Sequence, residues 1–158
     1  MAAGYEVHNS AWVPVAAGVA QTVLMVITPA SFGAIVKRFS VGFDGVTPTA
    51  KPGFVDIVRS TNAANSVPGT GNTNETPNIQ QSYGRSIVTG FTAFGAATAE
   101  PTVLTVAKRF PLTPVGGLVL MDFPLGTETD IGVSSGIGLR VTMPDAVNVH
   151  CSLEFERI

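Results

Sequence analysis

The sequence predicts an all-β fold: a jelly-roll-like antiparallel β-sandwich of about eight short strands, residues 21–158, preceded by an extended N-terminal arm, residues 1–20. Three observations lead there. Apolar and polar residues alternate with period two, which turns one face of each strand to a core and the other to water. Seventeen glycines and eleven prolines punctuate the chain, cutting it into runs that suit strands. No segment carries the three-to-four-residue apolar spacing of an amphipathic helix.

Residues 1–20 are apolar but poorly patterned, with Tyr5, Trp12 and Pro14. They read as an arm lying on a neighbouring subunit, the alternative being an edge strand of the same domain. Thr22 to Thr28 is rich in β-branched residues and stops at Pro29, as a strand does. In the next run Ile35, Phe39, Val41 and Phe43 share one face, interrupted by Lys37, and Asp44-Gly45 signals a turn. Gly53 to Arg59 follows, with Val55 and Ile57 opposed to Phe54, Asp56 and Val58. Residues 60–82 hold Asn, Thr, Ser, Gly and Pro with one acid, Glu75, and are expected as a long surface loop. Ile87 to Phe94 is a weaker strand, and Thr102 to Phe110 and Leu118 to Phe123 are stronger ones, separated by Pro111, Pro114 and Gly116-Gly117.

The clearest alternation closes the chain. Ile137, Leu139, Val141 and Met143 take one face of a strand; Val147, Val149, Cys151, Leu153 and Phe155 take one face of the next. Between them stands only Pro144-Asp145-Ala146, so the two are expected to form a hairpin.

Only 13% of residues are charged, about half the usual share. A surface so poor in ions implies contact with other subunits. The basic residues are scattered, and the adjacent pairs Lys37-Arg38 and Lys108-Arg109 should split across strand faces. No nucleic-acid partner is expected. The single cysteine, Cys151, sits in the apolar alternation and reads as a small buried hydrophobe. The apolar run Val13 to Ile27 lacks a preceding basic region and is broken by Pro14, Gly18 and Gln21, so neither an export signal nor a membrane segment is expected.

Catalytic patterns find little support. Gly132-Val133-Ser134-Ser135-Gly136 matches the nucleophile elbow, but a strand pattern follows where a helix is required. The only histidines are His8 and His150, with no ligand spacing around them. Asp122, Glu128 and Asp130 flank one turn and suggest at most a calcium site, without an EF-hand loop. No catalytic residue, cofactor or metal is expected.

Several strings nevertheless look familiar. Residues 22–26 (Thr-Val-Leu-Met-Val), 41–46 (Val-Gly-Phe-Asp-Gly-Val), 52–59 (Pro-Gly-Phe-Val-Asp-Ile-Val-Arg), 98–102, 124–126, 138–142 and 146–149 resemble a family of small tailed-bacteriophage virion structural proteins. The likeness covers most of residues 20–156 and omits the arm and the 60–82 loop. It implies a capsid decoration, or cement, protein: a homo-oligomer, expected as a trimer, bound to the major capsid protein on the phage head surface. The alternative it implies is a tail or fibre component, with host glycan as a ligand. Tyr5, Trp12 and Val13 of the arm are the expected partner-binding anchors, because aromatic side chains dominate interface energies.

Overall fold

The computed structural model describes residues 3–46, 49–61, 72–85, 87, 89–115 and 117–158. Its strands are β1 (Gly4–His8), β2 (Val13–Val15), β3 (Gln21–Ile27), β4 (Ala34–Phe43), β5 (Gly53–Ser60), β6 (Thr73–Asn74), β7 (Gln80–Tyr83) and β8 (Thr92–Gly95). They continue with β9 (Thr105–Leu112), β10 (Gly117–Asp122), β11 (Thr129–Ile131), β12 (Gly136–Thr142) and β13 (Val147–Arg157). A single 3-10 turn, Thr76–Asn78, is the one helical element among the described residues, and no helix is long and apolar enough to cross a membrane.

The strands form two antiparallel sheets packed as a sandwich. Sheet A runs β10-β4-β13-β1-β7, with β11 beside β4 and β2 beside β13. Sheet B runs β6-β8-β3-β12-β5-β9. Among the described residues the sheets hold seven and six strands, more than the roughly eight expected. The excess comes from pieces of two to four residues such as β2, β6 and β11, too short for a period-two pattern to show.

The core lies where the dry faces meet. Every odd residue of β13 from Val147 to Phe155 is buried, facing Leu24, Val26, Val55, Ile57, Ile137 and Leu139 of sheet B. Two aromatic groups anchor it. Tyr5, Phe91 and Phe155 pack with ring centroids 4.8–5.9 Å apart, and Phe39 contacts Phe110 and Phe123. Burying a side chain of this size stabilises the fold by about 2–3 kcal/mol. Cys151 is fully buried among them, and burial pushes its thiol pKa up.

Four expectations are corrected. Residues 4–15 are not an arm. β1 and β2 are one interrupted strand that runs along the length of β13, pairing with residues 152–156 and 147–149. β12 and β13 form no hairpin: β12 lies between β3 and β5 in sheet B, and β13 lies in sheet A. Both strands have fully buried dry faces, and those faces meet each other across the sandwich, so Pro144-Asp145-Ala146 is a corner between sheets. Residues 73–83 are also not loop. β6, the 3-10 turn and β7 close one side of the sandwich, while residues 62–71 of the expected loop lie outside the described residues.

The fourth correction concerns β4. Its register with β13 slips between Glu154 and Phe155, where Phe155 faces Val36 and Glu154 faces Arg38. Lys37 is thus the extra residue of a β-bulge. The bulge turns Val36 and Ala34 inward and explains the lysine that interrupts the apolar face. It also leaves Lys37 and Arg38 on the same outer side rather than on opposite faces.

Candidate interaction surface

Sheet A turns its other face to solvent, and the registers order that face into rungs. The first crosses from Glu6 through Glu154 and Arg38 to Asp122. The second holds His8, Ser152, Ser40 and Leu120. The third holds His150, Gly42 and Leu118.

The character changes along them. The first rung is ionic: Arg38 bonds Asp122 and lies 3.7 Å from Glu154. Just beyond it, Lys37 reaches Glu128 at 2.9 Å and Glu156 at 3.3 Å. The hydrogen bond from Lys37 holds the Glu128 carboxyl down to about 2. The acids suspected of holding calcium are thus dispersed: Asp122 and Glu128 serve separate cations, and no group of three potential metal ligands exists among the described residues.

The second and third rungs are nearly free of charge. Ser40 and Ser152 hydroxyls bond each other at 2.7 Å, which satisfies both without offering a strong polar site. His8 and His150 stack with centroids 6.1 Å apart, and the Trp12 indole meets His150 edge-on at 5.7 Å. Trp12 is 49% exposed, Leu118 70% and Leu120 51%. Gly42, between His150 and Leu118, keeps the middle of the row low. The result is a band of exposed aromatic and aliphatic surface bounded by an ionic rung.

Of the three expected anchors, only Trp12 belongs to this surface. Tyr5 and Val13 are 0% and 2% exposed; both point into the sandwich core, because alternation along β1 and β2 puts odd positions inside. Trp12 is exposed because residues 9–12 leave the strand between β1 and β2. That excursion is pinned. Asn9 exchanges hydrogen bonds with the Cys151 backbone and donates from its side chain to the Val23 carbonyl of sheet B at 2.7 Å. Glu75, 1% exposed, accepts from the Ser10 backbone N–H and hydroxyl at 3.1 Å and from Asn78 at 2.6 Å. Sequence reasoning missed Glu75. The only available signal was a lone acid in an otherwise uncharged stretch.

The outer face of sheet B is different. Met25, Ile27 and Val58 are buried under Phe94 and Leu104. Beside them the buried Asp56 carboxylate is clamped by Arg109 at 2.7 Å and Arg140 at 3.1 Å. Burial opposes ionisation there, but the two guanidinium groups outweigh it and lower the Asp56 pKa.

Ser134 sits in the turn between β11 and β12 with φ of 49°. That turn lies beside Gly33 and Ile158, at the opposite end of β13 from His150. At about 3.3 Å per residue the separation is roughly 25 Å, so the elbow-like motif has neither histidine within reach. Compared with known proteins, the chain matches no family model, no curated protein and no solved structure.

Proposed function

We propose that this protein is a non-enzymatic component of a phage virion, a decoration protein that binds the major capsid protein and coats the head shell. One observation carries the binding part of the reading: the low-charge band of Trp12, His150, Leu118 and Leu120 on an otherwise polar sheet face. A soluble monomer gains nothing by exposing an indole and two leucines on one face, whereas a docking surface does. The shell as partner comes from the sequence resemblance over most of residues 20–156. A rigid two-sheet body suits the task, since many weak contacts repeated on a lattice add through effective concentration.

Purified protein mixed with undecorated heads of its phage should co-sediment with them in a sucrose gradient and appear in image reconstructions at regular lattice positions. Absence of co-sedimentation at tens of micromolar protein, or density found only on the tail, overturns the decoration reading; density on the tail would favour the tail-component alternative.

A further inference from the structure

Two long strands end the sheets on the same side of the sandwich, and their chemistry differs. The edge of sheet B is β9, which carries Lys108, Arg109 and Pro111. Charges and proline are the usual means of keeping an edge from pairing with another chain. The edge of sheet A is β10, Gly-Leu-Val-Leu-Met-Asp, which has no charge before its last residue and no proline.

Among the described residues no strand but β4 pairs with β10, and the hydrogen-bonding groups that β10 turns outward can be assigned. The Phe123 N–H donates to the Lys37 carbonyl of β4, and in an antiparallel ladder alternate residues bond the same neighbour. Gly117, Val119 and Met121 therefore bond β4, and Leu118, Leu120 and Asp122 aim their N–H and C=O groups away from it. Leu118 and Leu120 are also the exposed side chains.

We infer that β10 pairs with β10 of a second copy, antiparallel, about a two-fold axis through Val119. In this register Leu118 lies opposite Leu120 of the other copy, and Leu120 opposite its Leu118. Each pair exchanges two backbone hydrogen bonds, four in all, and outward side chains stay outward because the axis is perpendicular to the sheet. The four leucines then form one patch on the outer face. No like charges meet near the axis, since Asp122 lies at the strand end and is engaged by Arg38. The five-strand path β10-β4-β13-β1-β7 continues into its copy, and the two Trp12 bands face the same way, so the dimer presents two copies of the docking surface. An edge contact of this length buries less than the roughly 1,200 Å² of a standard interface, so the dimer is weak in solution and reinforced on a lattice.

The inference deepens the assembly reading and rests on it for its purpose, yet each can fail alone. Sedimentation equilibrium of the full chain should show a monomer–dimer equilibrium that Leu120→Lys shifts to monomer by tenfold or more, with an unchanged circular dichroism spectrum. Val119→Cys offers a check that does not depend on weakening the contact. Directly opposed, non-hydrogen-bonded residues lie about 4.5 Å apart, within disulfide range, so mild oxidation should give a covalent dimer. Val106→Cys on β9 should give none, and the native Cys151 is buried. A wild-type chain that is purely monomeric at millimolar concentration, a trimer, or a dimer indifferent to Leu120→Lys and not cross-linked at position 119 overturns the edge pairing. A dimer that fails to bind heads overturns the decoration reading and leaves the pairing intact.

Discussion

Exposure separates residues that the sequence presents alike. Tyr5 and Trp12 are both aromatic residues near the N-terminus, yet one is core and the other surface. Tyr5→Ala should cost about 3–5 kcal/mol, the usual loss for emptying a large buried site, seen as a lowered urea midpoint. Trp12→Ala should change stability by no more than about 0.5 kcal/mol and weaken head binding at least tenfold. Equal effects of Trp12→Ala on both measurements would mean that the indole serves only the fold. The carboxylates act in the opposite direction from the thiol. Glu128 and Asp56 have pKa values below those of the unfolded chain, so the folded state binds protons less readily. The Glu128 contribution is complete above its ordinary value of 4.5 and is lost as pH falls toward about 2, and the Asp56 contribution is likewise lost on acidification. Stability should therefore be flat near neutrality and decline below about pH 4.5, and the decline should be shallower in Glu128→Gln. A Glu128→Gln curve that parallels wild type between pH 5 and 2 would remove the Lys37–Glu128 pair as a contributor.

At the scale of elements, the bulge in β4 is the most consequential detail. Because Lys37 is the supernumerary residue, deleting it restores a regular ladder in which Phe155 faces Val36 and Glu154 faces Arg38. The inward set Ala34, Val36, Phe39, Val41 and Phe43 is kept. Deleting Ser40 instead shifts half of the strand by one position and drives its dry face outward. The Lys37 deletion should fold, with a modest loss from its two ion pairs, and the Ser40 deletion should not; near-ultraviolet circular dichroism and urea melts would rank them. A Ser40 deletion as stable as the Lys37 deletion would contradict the assigned register. The N-terminal segment shows a related effect. The alternation in β1 and β2 is short and is broken by residues 9–12, but both find the same neighbour, β13, and the interruption itself places Trp12 at the surface.

For the whole molecule, the two outer faces divide the work. That of sheet B carries a small apolar cluster under Phe94 and Leu104 and the Asp56 clamp, with Phe54 and Val106 partly exposed beside them. That of sheet A is graded from ions to an aromatic and aliphatic band, and ends in a strand edge with no partner strand among the described residues. The sandwich holds both in register because its core runs the full length of β13. In the proposed reading the outer face of sheet A is the one laid against the shell, and the inferred two-fold edge contact lays it there in pairs.

Composition and alternation by themselves determined the all-β class, the long strands β3, β4, β5, β9, β10, β12 and β13, and the buried state of Cys151. These follow from a local rule, since a strand's neighbours in sequence alternate between water and core. Tertiary structure alone decided which strands pair, so adjacent β12 and β13 part to different sheets while β1 and β13, at opposite ends of the chain, lie side by side. It also decided that Tyr5 and Val13 are core, that Trp12 is surface, and that Glu75 is a buried clamp. Pairing and burial depend on long-range contacts between faces of similar hydrophobicity, and a period-two pattern carries no information about which dry face meets which.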